Sequence, residues 1–208
     1  MTSLEHPENY VILPASATNP KDLFVSMVRI NYGLTWRGAH EAVSEEGAFM
    51  PTPRQFIDLL IHLRSDQPVY DGRGTLIERS RVESVLDDIL TRRDPYRAEW
   101  LNASFVKTGN IWTINYAHKI SGGFVQPTVS ETLETCLMEV GFVDLFSASR
   151  QGLPTRKSAN QDIYFYPPLS DTNSVARFEA DSGRVRLYCD RVAKYSIPGQ
   201  GVRKFFEK

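Results

Sequence analysis

The sequence predicts an α+β fold in which amphipathic helices pack against a small antiparallel sheet. Three segments begin with a helix-capping pattern and continue with apolar residues at helical spacing. Shorter segments alternate apolar and polar side chains between turn residues, which is typical of strands with one buried face. Hydrophobic residues make up 41% of the 208 residues and charged residues 24%, so we expect a single globular domain, 1–208.

The first helix is expected over residues 53–64. Thr52 is placed to cap it, Pro53 suits its first position, and Gln55 completes a capping box. The apolar stripe that follows comprises Phe56, Leu59, Leu60 and Leu63. This pattern indicates a helix with one face buried.

Two further capping boxes predict two further helices. Ser80 and Glu83 open the second, whose apolar stripe comprises Val82, Val85, Leu86, Ile89 and Leu90. Thr128 and Glu131 open the third, whose stripe comprises Leu133, Cys136, Leu137 and Val140. Gly141 suits the residue that follows its last turn.

Strands are indicated between these helices and after them. Residues 105–107 and 111–116 flank Thr108-Gly109-Asn110, a sequence typical of a hairpin turn. The aromatic run 163–166 is a short strand closed by Pro167-Pro168. Residues 21–50 fit neither pattern clearly.

The last predicted hairpin turns at Ser182-Gly183 and separates two kinds of side chain. One face is apolar and comprises Ala176, Phe178, Ala180, Val185, Leu187 and Cys189. The other is charged and aromatic and comprises Arg177, Glu179, Asp181, Arg184, Arg186, Tyr188 and Asp190. We expect Phe178 and Leu187 to be buried. The polar set, with Arg191 and Tyr195, is expected to lie together on one exposed face.

Charge limits the classes of partner. The net charge is −1, which gives no general attraction to nucleic acid or to an anionic membrane. Residues 173–208 nevertheless hold eight Lys/Arg against four Asp/Glu. No run of eighteen apolar residues and no signal-peptide pattern is present, so we expect no membrane insertion, and the localisation stays open.

Motifs for catalysis, metals and cofactors are lacking. His6, His40, His62 and His118 stand in no catalytic pattern, and no metal-binding spacing occurs, so we expect no enzyme, metal or cofactor. Asp71-Gly72-Arg73-Gly74 is expected to be a turn because it lacks the Lys-Ser/Thr of a phosphate loop. Asn102-Ala103-Ser104 is a glycosylation sequon by pattern only. Cys136 and Cys189 are expected to be buried free thiols.

The composition of the polar face favours binding. Arg and Tyr supply much of the energy of protein interfaces, through bidentate hydrogen bonds and rigid contact area. Residues 190–200 follow the hairpin and mix charged, apolar and turn residues without a period. Such a loop is more typical of a binding surface than of a connection.

The C-terminal part of the chain also resembles a known family. The residues that carry the resemblance are Gln151-Gly152-Leu153-Pro154-Thr155-Arg156-Lys157, Tyr164-Phe165-Tyr166-Pro167, Asn173-Ser174-Val175-Ala176, Phe178, Ala180, Ser182, Leu187, Cys189 and Gly201-Val202-Arg203. Over residues 80–203 the chain is similar to the variable proteins of archaeal diversity-generating retroelements. The resemblance implies a C-type-lectin-like fold over 80–208, with residues 1–79 as an elaboration or a subdomain. It also implies a variable surface within 173–203.

In that family an error-prone reverse transcriptase rewrites adenine-containing codons while framework residues between them stay fixed. The resemblance implies that the framework comprises Val175, Ala176, Phe178, Ala180, Ser182, Leu187 and Cys189. The ligand-binding set that it implies comprises Arg177, Glu179, Asp181, Gly183, Arg184, Arg186, Tyr188, Asp190, Arg191, Val192, Lys194, Tyr195 and Ile197. Glu179 and Lys194 depart from the pattern, because randomised adenines in an AAC or AAT codon yield neither residue.

The resemblance implies a partner that is a protein or another surface ligand, and a location on a virion, on a cell surface or inside a cell stays open. Two alternatives stay open. One is a nucleic-acid-binding module that uses the Arg and Tyr residues of the last hairpin, which the overall charge makes less favoured. The other is an enzyme related to the formylglycine-generating sulfatase modifiers, which would need a reactive cysteine pair.

Overall fold

The computed structural model describes residues 4–159, 163–169 and 174–208 and has an α+β architecture. Its α-helices are α1 (Trp36–Glu45), α2 (Pro53–Arg64) and α3 (Arg79–Leu90). Its strands are β1 (Tyr10–Leu13), β2 (Leu23–Ser26), β3 (Arg97–Thr108), β4 (Ile111–Tyr116), β5 (Lys119–Ser121), β6 (Phe124–Gln126), β7 (Val129–Thr132), β8 (Gly141–Val143), β9 (Ile163–Tyr166), β10 (Ser174–Ala180), β11 (Val185–Val192), β12 (Gln200–Gly201) and β13 (Phe205–Glu207).

The main sheet is larger than the sequence suggested. It has the order β7-β4-β3-β10-β11-β9-β8, and β12 pairs with β3. Two of its pairs, β11 with β9 and β12 with β3, are parallel, so the sheet is mixed and not purely antiparallel. A second sheet joins β1, β2 and β13, and β5 pairs with β6.

The first two predicted helices are present. The first is α2, with the predicted bounds and with the capping box between Thr52 and Gln55. The second is α3, but Glu78 lies at its cap and no side chain caps it, so the box predicted at Ser80 does not form. Its apolar stripe still faces the core, where Val82, Val85 and Ile89 are buried.

The third predicted helix, over residues 128–140, is wrong. Val129–Thr132 is strand β7, paired with β4, and residues 133–140 are irregular. The capping side chains have other partners: Thr128 Oγ1 donates to the Ala117 carbonyl, and Glu131 accepts from Arg150. Pairing with a neighbouring strand therefore overrides the local helical pattern.

The predicted hairpins are confirmed. The turn between β3 and β4 consists of Gly109 and Asn110, and Gly109 takes a positive φ of 60°. The strand at 163–166 is β9, and β10 and β11 form the last hairpin around Ser182-Gly183. Residues 21–50, which showed no clear pattern, contain β2 and α1.

The helices cover the main sheet unequally. On one face α2 packs against β10, with the rings of Phe56 and Phe178 4.9 Å apart. On the other face Trp36, on α1, donates from Nε1 to the Leu101 carbonyl at 2.8 Å, so α1 lies over β3. Residues farther from β3, on β11 and β9, are only half-buried on this second face.

Among the described residues no helix is long and apolar enough to span a membrane.

Candidate functional site

The polar side chains of the last hairpin form one continuous surface with the tyrosines of β9. Arg177 pairs with Tyr188 and Glu179 with Arg186 across β10 and β11. Parallel pairing sets Tyr164 beside Arg186 and Tyr166 beside Tyr188. We call this surface the arginine–tyrosine face, and it comprises Tyr164, Tyr166, Arg177, Glu179, Arg184, Arg186, Tyr188 and Arg191.

A register shift in the hairpin brings Arg191 onto this face. Arg177 pairs with Tyr188 but Val175 pairs with Arg191, so β11 carries one extra residue between the two pairs. We expected both Asp190 and Arg191 on the polar face, although regular alternation places only one of two consecutive residues there. The bulge gives Arg191 the position that regular pairing would give to Asp190.

Guanidinium groups and aromatic rings stack along the face. The rings of Tyr166 and Tyr188 are stacked with centroids 4.1 Å apart. The Arg191 guanidinium carbon lies 3.7 Å from the Tyr188 ring centroid, and that of Arg184 lies 4.3 Å from the Tyr164 centroid. Burial and the neighbouring Tyr166 raise the pKa of Tyr188 to about 12, so its hydroxyl stays protonated at neutral pH. These contacts fix the orientation of both guanidinium groups.

Glu179 connects three of the arginines. Its carboxylate accepts from Arg177 and from Arg186 Nη1, the latter at 3.0 Å, and lies 3.6 Å from Arg191 Nη2. Arg186 also donates to Asp181. Burial lowers the pKa of Arg177, and the Glu179 carboxylate opposes that shift. The acid therefore offsets the cost of burying cationic groups beneath the face.

The expected exposure of the polar set needs one correction: Arg177 and Glu179 are buried, each 3% exposed. The cover comes from outside the hairpin, since Gln200 accepts from Arg177 at 2.8 Å and Trp100 lies beside Arg177. The half-buried members of the predicted set are Asp181, Arg184, Arg186, Tyr188, Asp190, Arg191 and Ile197. Its exposed members are Gly183, Val192, Lys194 and Tyr195. Asn173, also assigned to the binding segment, lies outside the described residues.

The apolar face of the hairpin is buried, as predicted. Phe178 and Leu187 are each 1% exposed. Ala176, Ala180 and Cys189 lie beside them without accessible surface. The segment therefore has one side fixed by the core and one side that opens to solvent over β11 and β9.

Two residues that carry the family resemblance, Arg203 and Gly152, lie outside the hairpin and have structural roles. Arg203 is fully buried and donates to Glu99 and to the Ser26 carbonyl. Burial alone would raise the pKa of Glu99, but Arg203 and Arg97 outweigh it and lower that pKa to about 2. Gly152 has a φ of 82°, and a Cβ there would lie 2.2 Å from the Arg54 nitrogen, so glycine is required.

The two thiols are unsuited to nucleophilic chemistry. Cys136 and Cys189 are both free, Cys136 half-buried and Cys189 buried. Burial raises the pKa of Cys136 to about 11 and raises that of Cys189 as well. Both are thus thiols and not thiolates at neutral pH.

The structure also reveals a histidine cluster that the sequence analysis missed. Asn102 Oδ1 accepts from the His118 backbone and lies 2.7 Å from His118 Nδ1, so Nδ1 carries the proton. His118 Nε2 is then the acceptor for the Ser104 hydroxyl, 3.3 Å away. Trp36 packs edge-on against both His40 and His118. No sequence motif joins these residues, because they come from α1, β3 and the segment after β4.

This cluster resembles a nucleophile, a base and an orienting group, but its chemistry is weak. Burial lowers the pKa of His118 to about 4, and an amide in place of a carboxylate supplies no charge to oppose that shift. His118 is therefore a poor base at neutral pH. The cluster lies at the wall of a cavity of about 560 Å³, which His40, Asn102 and His118 line.

The Asn102-Ala103-Ser104 sequon is not an accessible glycosylation site, because Asn102 is buried and hydrogen-bonded.

Comparisons of the chain with protein-family models, with curated proteins and with solved structures give no match. Within residues 4–159, 163–169 and 174–208, no group of three or more His, Cys, Asp or Glu side chains is placed to hold a metal ion. The Asp71 turn has the predicted character, since Asp71 Oδ1 accepts from the backbone of Arg73 and Thr75, each at 2.9 Å. The arginine–tyrosine face is thus the candidate site that the geometry favours most.

Proposed function

We propose that the chain is a ligand-binding variable protein of a diversity-generating retroelement. In this proposal a C-type-lectin-like scaffold displays the side chains of residues 181–197 to a surface receptor or another partner. The observation that carries the proposal is the two-sided construction of β11. Its Val185, Leu187 and Cys189 are buried, while Arg186 and Tyr188 between them reach the open part of the arginine–tyrosine face.

The composition of the face supports binding. Its tyrosines and arginines are held by stacking and by ion pairs, so they lose little conformational freedom when a partner binds. The irregular loop that follows β11 adds exposed side chains at Lys194 and Tyr195. Rigid aromatic anchors beside adaptable polar loops are typical of binding surfaces.

The structure also refines which positions could vary. Arg177 and Glu179 belong to the buried ion-pair network, so we assign them to the fixed scaffold. This assignment agrees with the codon argument for Glu179, whereas Lys194, the other residue that departs from the codon pattern, is exposed. The raised thiol pKa values weigh against the alternative of a cysteine-dependent enzyme.

The sequence of the DNA that flanks the gene tests this proposal. We expect a near-copy of the segment that codes for residues 173–203, differing from it only at adenines, next to a reverse transcriptase gene. Clonal isolates should differ at codons for half-buried and exposed residues of 181–197. A neighbourhood with neither the copy nor the transcriptase would refute the proposal.

A further inference from the structure

Two arginines of the open face lie over aromatic rings. Arg191 stacks on Tyr188 and Arg184 on Tyr164, and the Phe142 ring centroid lies 5.6 Å from the Arg184 guanidinium carbon. A guanidinium group that stacks through its plane keeps its N–H donors at its edge. Those donors match the two oxygens of a carboxylate.

The charges on the face leave an excess of cations. Residues 177–191 hold four arginines, 177, 184, 186 and 191, and three acids, 179, 181 and 190, which gives the segment a net charge of +1. Arg177 and Arg186 are engaged by Glu179 and Asp181. Of the acids whose placement is described, none forms an ion pair with Arg184, and Arg191 lies no nearer than 3.6 Å to Glu179. The side chain of Arg191 is 29% exposed, so it is accessible.

We propose that the arginine–tyrosine face binds an acidic protein segment. Carboxylates of the partner would pair with Arg184 and Arg191, and apolar or aromatic side chains would cover Tyr166 and Tyr188. This inference rests on the proposed function and adds the chemistry of the partner to it. A charged pair at each end of an aromatic surface would also fix the orientation of the bound segment.

Charge distribution favours a protein over a nucleic acid. The carboxylates of Glu179 and Asp181 lie on or beside the same face, where both pair with Arg186. A nucleic acid presents phosphates at close and regular spacing, which these acids would repel. The net charge of −1 gives the whole chain no compensating attraction. A peptide segment can place its acids at two points and neutral side chains between them.

The test is a selection of random peptides displayed on phage against the intact chain. A subtraction step uses Tyr188→Ala, so that the retained peptides are those that bind the face. We expect the retained peptides to be rich in Asp and Glu. Their synthetic forms should bind about tenfold more weakly to the double variant Arg184→Gln and Arg191→Gln, which corresponds to about 1.4 kcal/mol. The variant Lys21→Gln, which removes an exposed cation near β2, is the matched control and should bind as the wild type does.

The outcomes separate the two proposals. Peptides that depend on Tyr188 but are neutral or basic would overturn the acidic-partner inference and leave the display function in place. Tight, Tyr188-dependent binding of a single-stranded oligonucleotide, with no acidic peptides retained, would overturn it in favour of nucleic acid. If no peptide and no oligonucleotide depends on Tyr188, both the inference and the binding role of the face fail. Thermal melts of each variant confirm that the fold is intact.

Discussion

Glu179 shows how one buried acid can organise several arginines. Its side chain is 4% exposed and contacts Arg177, Arg186 and Arg191. Removal of one partner from a buried ion pair costs more than the pair contributes, because the remaining charge loses its compensation. Arg177, also 4% exposed at its side chain, would be left in that state.

We therefore predict that Glu179→Ala lowers the free energy of unfolding by about 3–5 kcal/mol. Urea denaturation followed by tryptophan fluorescence measures the change. Lys194→Ala, at an exposed position of the same segment, should change it by less than about 0.5 kcal/mol. Equal effects of the two substitutions would contradict the role of Glu179 as the shared partner of three arginines.

Phe178 gives a second prediction at this scale. It is 1% exposed and packs against Phe56, so Phe178→Ala leaves a cavity beneath β10. The expected loss is about 3–5 kcal/mol of stability, measured by the same denaturation. Tyr195→Ala, which truncates an exposed ring, serves as the comparison and should leave the melting curve nearly unchanged.

The buried histidines predict a dependence of stability on pH. Burial lowers the pKa of His40 to about 3 and that of His118 to about 4, against an ordinary value of 6.5. Between these values the unfolded chain binds more protons than the folded one, so stability falls as the pH drops below about 6.5. The slope should reach up to ~1.4 kcal/mol per pH unit for each histidine.

Denaturation between pH 7.5 and pH 4.5 checks this dependence. His40→Leu should flatten the slope, because it removes one of the titrating groups, whose Nε2 has no partner in the described part of the chain. His6→Gln should keep the full slope, since the His6 side chain is 68% exposed. If His6→Gln alters the slope and His40→Leu does not, the pH dependence does not come from the buried His40.

At the scale of elements, the sequence predicted what local interactions decide. The capping box at Thr52 formed because Pro53 and Gln55 complete it within one turn. The same pattern at Thr128 failed because Val129–Thr132 pairs with β4, while the Thr128 hydroxyl donates to the Ala117 carbonyl and Glu131 accepts from Arg150. These partners are distant in sequence, so no local pattern reveals them. Alternation likewise identified the two faces of the last hairpin. It could not show that Trp100 and Gln200 cover Arg177, since that contact depends on the tertiary fold.

This contrast predicts different results from two similar substitutions. Thr52→Ala removes a hydroxyl that accepts from the Gln55 nitrogen and should cost about 1 kcal/mol. Ser80→Ala alters an exposed residue inside α3 that caps nothing, so its effect should be near zero. Thermal melts of the two variants measure both. A loss at Ser80 as large as that at Thr52 would mean that both boxes form in solution.

For the whole molecule, the division between scaffold and display surface predicts where variation is tolerated. A library that randomises Arg184, Tyr188, Asp190, Val192, Lys194 and Tyr195 should yield mostly folded protein, because these side chains are exposed or half-buried. A library of the same size at Ala176, Arg177, Phe178, Glu179, Ala180 and Leu187 should yield mostly insoluble chains, since these positions are buried.

The fraction of soluble, cooperatively melting clones in each library is the measurement. Similar fractions would show that the β10–β11 segment does not separate a fixed side from a variable one. Alternation in the sequence defined Arg184, Tyr188 and Asp190 of the first library, and the family resemblance added the other three positions. Alternation placed Arg177 and Glu179 there as well, and only the packing of the assembled molecule moves them to the second.

The extra residue in β11 has a consequence for changes in chain length. Because the strand already holds one residue more than its partner between Tyr188 and Arg191, a deletion of Asp190 would restore regular pairing. Arg191 would then keep its side of the sheet, as would every residue before it. A deletion of Arg186 would instead move the side chains between position 186 and the bulge to the opposite face of the sheet. The hairpin can thus shorten at one point without exchanging its inner and outer surfaces.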